Sequence, residues 1–152
     1  MASFRRILLC YDATREGRRA LREGTELALA CRAQTHLLAV LDEGPLQWGT
    51  DVVSAVPFEA AESAAREILH DGVERLQQLG LAATGEFAVG RAIDEIARVA
   101  ALFGADLIVL GHHRRGPLAR WWEGRDDRQL LDRVSCSVLV VTAPEPAEAA
   151  AA

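Results

Sequence analysis

Residues 104–141, GADLIVLGHHRRGPLARWWEGRDDRQLLDRVSCSVLVV, decide how the rest of the chain is read. Residues 106–110 hold a short run of branched apolar side chains, which predicts a buried strand. Gly111 follows, and a loop runs from there to about Gly124. Residues 126–134 read as a helix and residues 137–142 as a second buried strand. Strand, glycine-gated loop, helix and strand together make the unit of a parallel α/β sheet. A glycine where such a strand ends lets a ligand approach the backbone closely. A helix that starts just past the loop offers unpaired N–H groups to an anion.

Upstream the same alternation continues. Residues 6–11 (RILLCY) are apolar enough for a central strand buried on both faces. A helix from about 15 to 32 carries Gly17, Ala20, Leu21, Gly24, Leu27, Ala28 and Cys31 at three-four spacing. Residues 35–41 (THLLAVL) predict a strand and residues 42–55 a loop. A helix from about 57 to 79 turns Phe58, Ala61, Ala65, Ile68, Leu69, Val73, Leu76 and Leu79 inward, and Gly80 stops it. Residues 84–89 predict the third strand, and residues 92–103 a helix with Ile93, Ile96, Ala97 and Ala100 inward. The fold class is therefore α/β: a three-layer α/β/α sandwich around a five-stranded, mainly parallel sheet. Residues 1–143 read as one domain, and the Pro/Ala/Glu-rich residues 144–152 as a frayed tail.

The chain has 152 residues, half of them apolar, and a net charge of −5. That is one domain with a full core. The acidic balance argues against binding nucleic acid through the whole surface. No apolar run approaches the roughly 18 residues of a membrane span. The first residues read as a strand and not as a signal peptide, because the run is short and Asp12 interrupts it. A cytoplasmic protein without membrane attachment is the expectation. Cys10, Cys31 and Cys136 are odd in number and lack C-x-x-C spacing, which predicts buried reduced thiols. The seventeen basic residues are all Arg. A P-loop, a Schiff-base enzyme and a receiver domain each need a Lys and are excluded. No G-x-S-x-G elbow is present, and no catalytic residue is assigned. His112 and His113 are adjacent, so their side chains diverge, and no third ligand is suitably spaced for a metal. His36 and His70 read as ordinary strand and helix residues.

These segments resemble the universal stress protein family of the UspA type. RRILLCYDATREGRRAL is similar to the family's first strand with its terminal Asp, GADLIVLG to its fourth strand, VGRAIDEIARVA to its third helix, and CSVLVV to its last strand. The resemblance implies a strand order of 3-2-1-4-5. It also implies an ATP or adenine-nucleotide site at the crevice between strands one and four, and a homodimer through the last strand, Val138, Leu139, Val140 and Val141. The family's nucleotide signature is G-x2-G-x9-G-(S/T). Gly111 and Gly124 match its first and third glycines, whereas Arg114 replaces the second and Arg125 the Ser/Thr. The related hydrolase signatures HxGH and SGGxDS are not matched by YDATREG after strand one.

The candidate nucleotide residues are Tyr11, Asp12, Ala13, Val40, Gly111, His112, Arg114, Gly124, Arg125, Asp126 and Asp127. The resemblance gives Asp12 to the adenine end and the Val40 backbone to the base. Asp12 serves equally as a helix cap. Family members that hold ATP present hydroxyls at the helix start, where this chain reads Gly124-Arg125-Asp126-Asp127. Arg125 offers a charge-assisted phosphate contact. Asp126 and Asp127 bring fixed anions to the same turn, where the helix dipole favours one. They either cap the helix, repel a triphosphate, or hold it through a bridging Mg²⁺. The loop HHRRGPLARWW, with Arg125 and Arg128, holds five Arg within fifteen positions. It binds an anion, docks a protein partner through Trp and Arg, or packs Trp121 and Trp122 on the body with its Arg solvated.

The expectation is a small stress-response protein that acts by dimerisation and by binding a protein partner or, weakly, a nucleotide, with a degenerate ATP motif and no required cofactor. The alternative is a genuine ATP or adenine-nucleotide sensor. Slow ATP hydrolysis or phosphotransfer would be an extension of the alternative.

Overall fold

The computed structural model describes residues 3–11, 15–41, 58–112 and 125–142. Its elements alternate: β1 (Arg6–Tyr11), α1 (Arg15–Cys31), β2 (Gln34–Leu41), α2 (Phe58–Gln78), β3 (Ala83–Val89), α3 (Ala92–Phe103), β4 (Leu107–His112), α4 (Arg125–Arg133) and β5 (Ser137–Thr142). The five strands form one sheet in the order β3-β2-β1-β4-β5. Every pairing is parallel, so the sheet is wholly and not merely mainly parallel. The tail and the loops at 42–57 and 113–124 lie outside the described residues.

Side chains on a strand alternate between its faces, and here both faces are covered. Ile7, Leu9, Leu37, Leu107, Val109 and Val141 meet Ala20 and Ala28 of α1 and Leu76 of α2. Leu8, Leu38, Ala88, Ile108 and Leu110 meet Ile96 and Val99 of α3 and Leu130 of α4. Ile7 and Leu8 are fully buried and Leu9 is 1% exposed, as expected for a central strand.

The helices approach the sheet through missing side chains. A Cβ on Gly24 would stand 2.5 Å from Leu9 Cδ2 and 3.1 Å from Val109 Cγ1, so α1 lies directly on β1 and β4. On Gly72 it would stand 2.7 Å from Leu37 Cδ2, which seats α2 on β2. Gly104 ends α3 in the left-handed conformation, φ 69°, and its N–H turns back to the carbonyls of Ala100 and Ala101.

Several expectations need correction. Ile68 and Leu79 of α2 are 38% and 48% exposed and not inward. On α3, Ala92 and Val99 are buried as well as Ile96 and Ala100. The three cysteines form no disulfide, but each is half-buried rather than buried. Residues 111 and 112 belong to β4 and not to the loop, because Gly111 pairs with Val141 and His112 with Thr142. The backbone ladder to β5 carries the strand past its apolar run.

β1 and β4 are held together at their beginnings by one carboxylate. Asp106 Oδ2 accepts the N–H of Arg5 at 2.7 Å, and Oδ1 accepts that of Arg6 at 3.0 Å. Burial raises the pKa of the nearby Cys136 thiol, and the charge of Asp106 adds to that effect.

Candidate functional site

The strand order places a reversal of winding between β1 and β4. β2 and β3 lie to one side of β1, and β5 lies beyond β4. α1, which follows β1, and α4, which follows β4, pack on opposite faces of the sheet, the arrangement at which open α/β sheets bind ligands beyond the carboxyl ends of the strands. Leu9 pairs with Val109, so two residues further on Tyr11 and Gly111 come level at that edge. Tyr11 pairs with Ala39 on the other side, which puts Val40 next to the same rim.

The residues at the rim face different ways. Tyr11 is half-buried and packs against the α1 and α2 face of the core. Val40 packs against the α3 and α4 face, together with Cys10. Gly111 adds no side chain above Val109 at this end of β4.

The helix beyond the loop begins at Arg125, one residue earlier than expected. Asp126 and Asp127 are thus its second and third residues, inside the turn whose N–H groups lack helical partners. The backbone of His112 is the last of β4. Asp12, Ala13, Arg114 and Gly124, and the residues 113–124 that carry the Arg-Trp cluster, lie outside the described residues. The structure therefore brings Tyr11, Val40, Gly111 and His112 to one end of the sheet and gives α4 its start.

The candidate dimer strand β5 is an edge of the sheet. Leu139 and Val140 are 37% and 44% exposed, and Val138 is half-buried. Val141 is 4% exposed and packs with Ile7 and Leu9, so its side chain belongs to the core and not to an exposed interface. Leu131 of α4 is 58% exposed and extends the apolar character of the outer surface.

A second polar group was not anticipated from sequence. His36 Nδ1 lies 2.6 Å from Thr84 Oγ1, and its ring stacks on Phe103 at 5.2 Å. Glu86 bonds Arg98 at 2.6 Å. Their association depends on the register of β2 with β3, which pairs His36 with Thr84. No spacing along the chain signals it. Among the described residues no group of three His, Cys, Asp or Glu is arranged to hold a metal. No helix there is long and apolar enough to cross a membrane.

The model of the universal stress protein family matches residues 3–142. The universal stress protein Sll1388 of Synechocystis sp. is 34% identical over 84 residues, 55% of this chain and 54% of that protein. The chain thus aligns with about half the length of this curated relative. Among solved structures, UspA of Lactobacillus plantarum superposes with a TM-score of 0.71 at 23% identity, covering 93% of this chain and 99% of its own. A universal stress protein in complex with cAMP gives 0.67 at 17% identity, over 93% and 98% of the two chains. One from Archaeoglobus fulgidus in complex with dAMP gives 0.60 at 19% identity, over 93% and 99%. At these identities the structural likeness speaks for the fold.

Proposed function

The chain belongs to the universal stress protein family, and from that premise we propose a homodimeric stress-response protein whose β1/β4 crevice takes adenine nucleotides and disfavours ATP. The observation that supports the crevice is the reversal of winding between β1 and β4, with Tyr11 and Gly111 level at its mouth. Fold neighbours in complex with cAMP and dAMP supply the ligand class.

The bias against ATP follows from the start of α4. Arg125 offers a phosphate contact worth roughly 1.5–3 kcal/mol. A carboxylate about 5 Å from a phosphate, at an effective dielectric of about 20, opposes it by ~3 kcal/mol. Asp126 and Asp127 supply two such carboxylates in the first turn. A nucleoside monophosphate carries less charge and leaves that turn free. It escapes most of the repulsion and keeps the contacts of its base and ribose.

The dimer half of the reading is supported by β5, an edge strand without a charged residue that exposes Leu139 and Val140. An unpaired apolar edge is suited to pairing with a second copy.

Mass spectrometry of protein purified without added nucleotide, then denatured, tests the crevice. Calorimetric titration with ATP and AMP, with and without Mg²⁺, completes the test. The expected outcome is no copurified ATP and an ATP dissociation constant weaker than roughly 100 μM, about −5.5 kcal/mol. AMP should bind at least as tightly as ATP. The double change Arg125→Ser with Asp127→Ser should tighten ATP several-fold. Copurified ATP, or unchanged binding in the double variant, would overturn the electrostatic argument and favour an ATP sensor.

A further inference from the structure

At the end of the sheet away from the crevice, three elements meet around His36. The residue sits on β2 opposite Thr84 of β3. Its Nδ1 is 2.6 Å from Thr84 Oγ1, and its Nε2 is 3.7 Å from Glu86 Oε2. From α3, the Phe103 ring stacks on the imidazole at 5.2 Å with the planes 27° apart. The His36 side chain is only 14% exposed. The other oxygen of Glu86, Oε1, accepts a bond from Arg98 Nη2 at 2.6 Å. The same Nη2 donates to Glu95 Oε2, also at 2.6 Å. From β1, the Arg6 guanidinium lies 5.6 Å from the Phe103 ring centre and donates to the Phe103 carbonyl at 2.7 Å. The charged groups around His36 are therefore Glu86 from β3, which it meets directly, Arg98 and Glu95 from α3, linked through Glu86, and Arg6 from β1, linked through Phe103.

We propose that His36 is a proton-operated tie: on acidification its imidazolium draws Glu86 away from Arg98 and loosens the hold of α3 on the edge strand β3. Glu86 is the shared element, because one carboxylate stands between two groups that compete for it. While the ring is neutral, only Arg98 is a cation, and it keeps the carboxylate. The Thr84 hydroxyl donates to an unprotonated Nδ1 or, after rotation, accepts from a protonated one, so this bond survives in either state. A protonated Nε2–H needs a carboxylate at about 2.7–2.9 Å for a charge-assisted bond. The present 3.7 Å must then shorten, and Glu86 moves toward β2. Arg98 and Arg6 both repel the new charge, and the Phe103 ring, which already carries Arg6, receives a second cation.

Burial lowers the pKa of His36 from its ordinary 6.5, against the pull of Glu86. The unfolded chain, with the ordinary value, then binds the proton more readily than the fold does. This contribution to stability is complete above 6.5 and is lost as the pH falls through the lower value of the folded state. Proton uptake by His36 thus works against the native corner.

The test is a pH titration of the full chain by nuclear magnetic resonance, following the His36 Cε1–H together with the Arg98 Nη2–H, the donor that bonds Glu86. The expected result is a His36 midpoint below 6.5 and an Arg98 signal that shifts with the same midpoint. Glu86→Gln should lower the His36 midpoint further and abolish the Arg98 response. Amide exchange in β3, corrected for its intrinsic pH dependence, should speed up several-fold between pH 7.5 and pH 5.5, and less than twofold in His36→Gln. A His36 midpoint at or above 6.5, or an Arg98 signal blind to the titration, would overturn the proposal. The wild-type and Glu86→Gln titrations decide it even if His36→Gln does not fold.

Discussion

The two edges of the sheet are built on opposite principles. β3 carries a charge, Glu86, bonded to Arg98, and a glycine at position 85. Its Phe87 is covered by the Arg66 guanidinium, 4.6 Å from the ring centre. An edge treated this way offers little to another strand. β5 (SVLVVT) has neither charge nor glycine nor proline, and it presents Leu139 and Val140 to solvent. In composition one edge is guarded against pairing and the other is not. The difference teaches where a second copy would add, since a parallel sheet of this size otherwise has two equivalent places for a neighbour.

The sharpest way to break the comparison is Val140→Asp. In an isologous contact it brings two like charges together, so the proposed dimer should dissociate roughly 100-fold more readily, about 2.7 kcal/mol. Sedimentation of this variant beside Thr84→Asp on the other edge reads the contrast, because the second should assemble as the wild type does. Gly85→Val comes next. Its Cβ would stand 2.6 Å from Val73 Cγ2 and 3.1 Å from Leu69 Cδ1. Val73 is stiff at χ1 and cannot swing aside cheaply. Urea denaturation should show a loss of about 1–3 kcal/mol from overpacking, with assembly unchanged. Glu86→Val should cost no more than ~1 kcal/mol, because a partly exposed ion pair contributes little. It would nevertheless make β3 resemble β5, and species larger than a dimer should form as concentration rises. The smallest effect belongs to Arg66→Ala, about 0.5–1 kcal/mol for an exposed cation over a ring.

Much of this architecture was legible in the residues. The bounds of β1, α3 and β5 follow from the sequence because β1 and β5 are short apolar runs and α3 is a periodic apolar pattern stopped by Gly104. The strand order came from the family resemblance and not from the pattern of elements, and the order β3-β2-β1-β4-β5 bears it out. Ile68 and Leu79 misled because periodicity sees only the helix itself. α2 covers β2 and the edge strand β3, and no further strand lies beyond to bury its outer flank. Gly111 misled for a related reason. A glycine reads as a strand's end, yet pairing with Val141 depends on the backbone and needs no side chain. The group around His36 was not legible at all, because Thr84 and Glu86 come beside it only after β2 and β3 are in register.

The Asp106 carboxylate, bonded to backbone groups 101 and 100 residues earlier, has a consequence for synthesis. β1 leaves the ribosome first and finds β2 soon after, but its other side faces no strand until Leu107, Ile108 and Val109 have been made. Over the roughly 100 residues between β1 and β4, the central strand of the sheet therefore has one raw flank, and this is the interval in which a nascent chain would depend on chaperones. Arrival of Asp106 clamps the start of that flank, so the interior β1–β4 seam can close only after the β3 edge has been made.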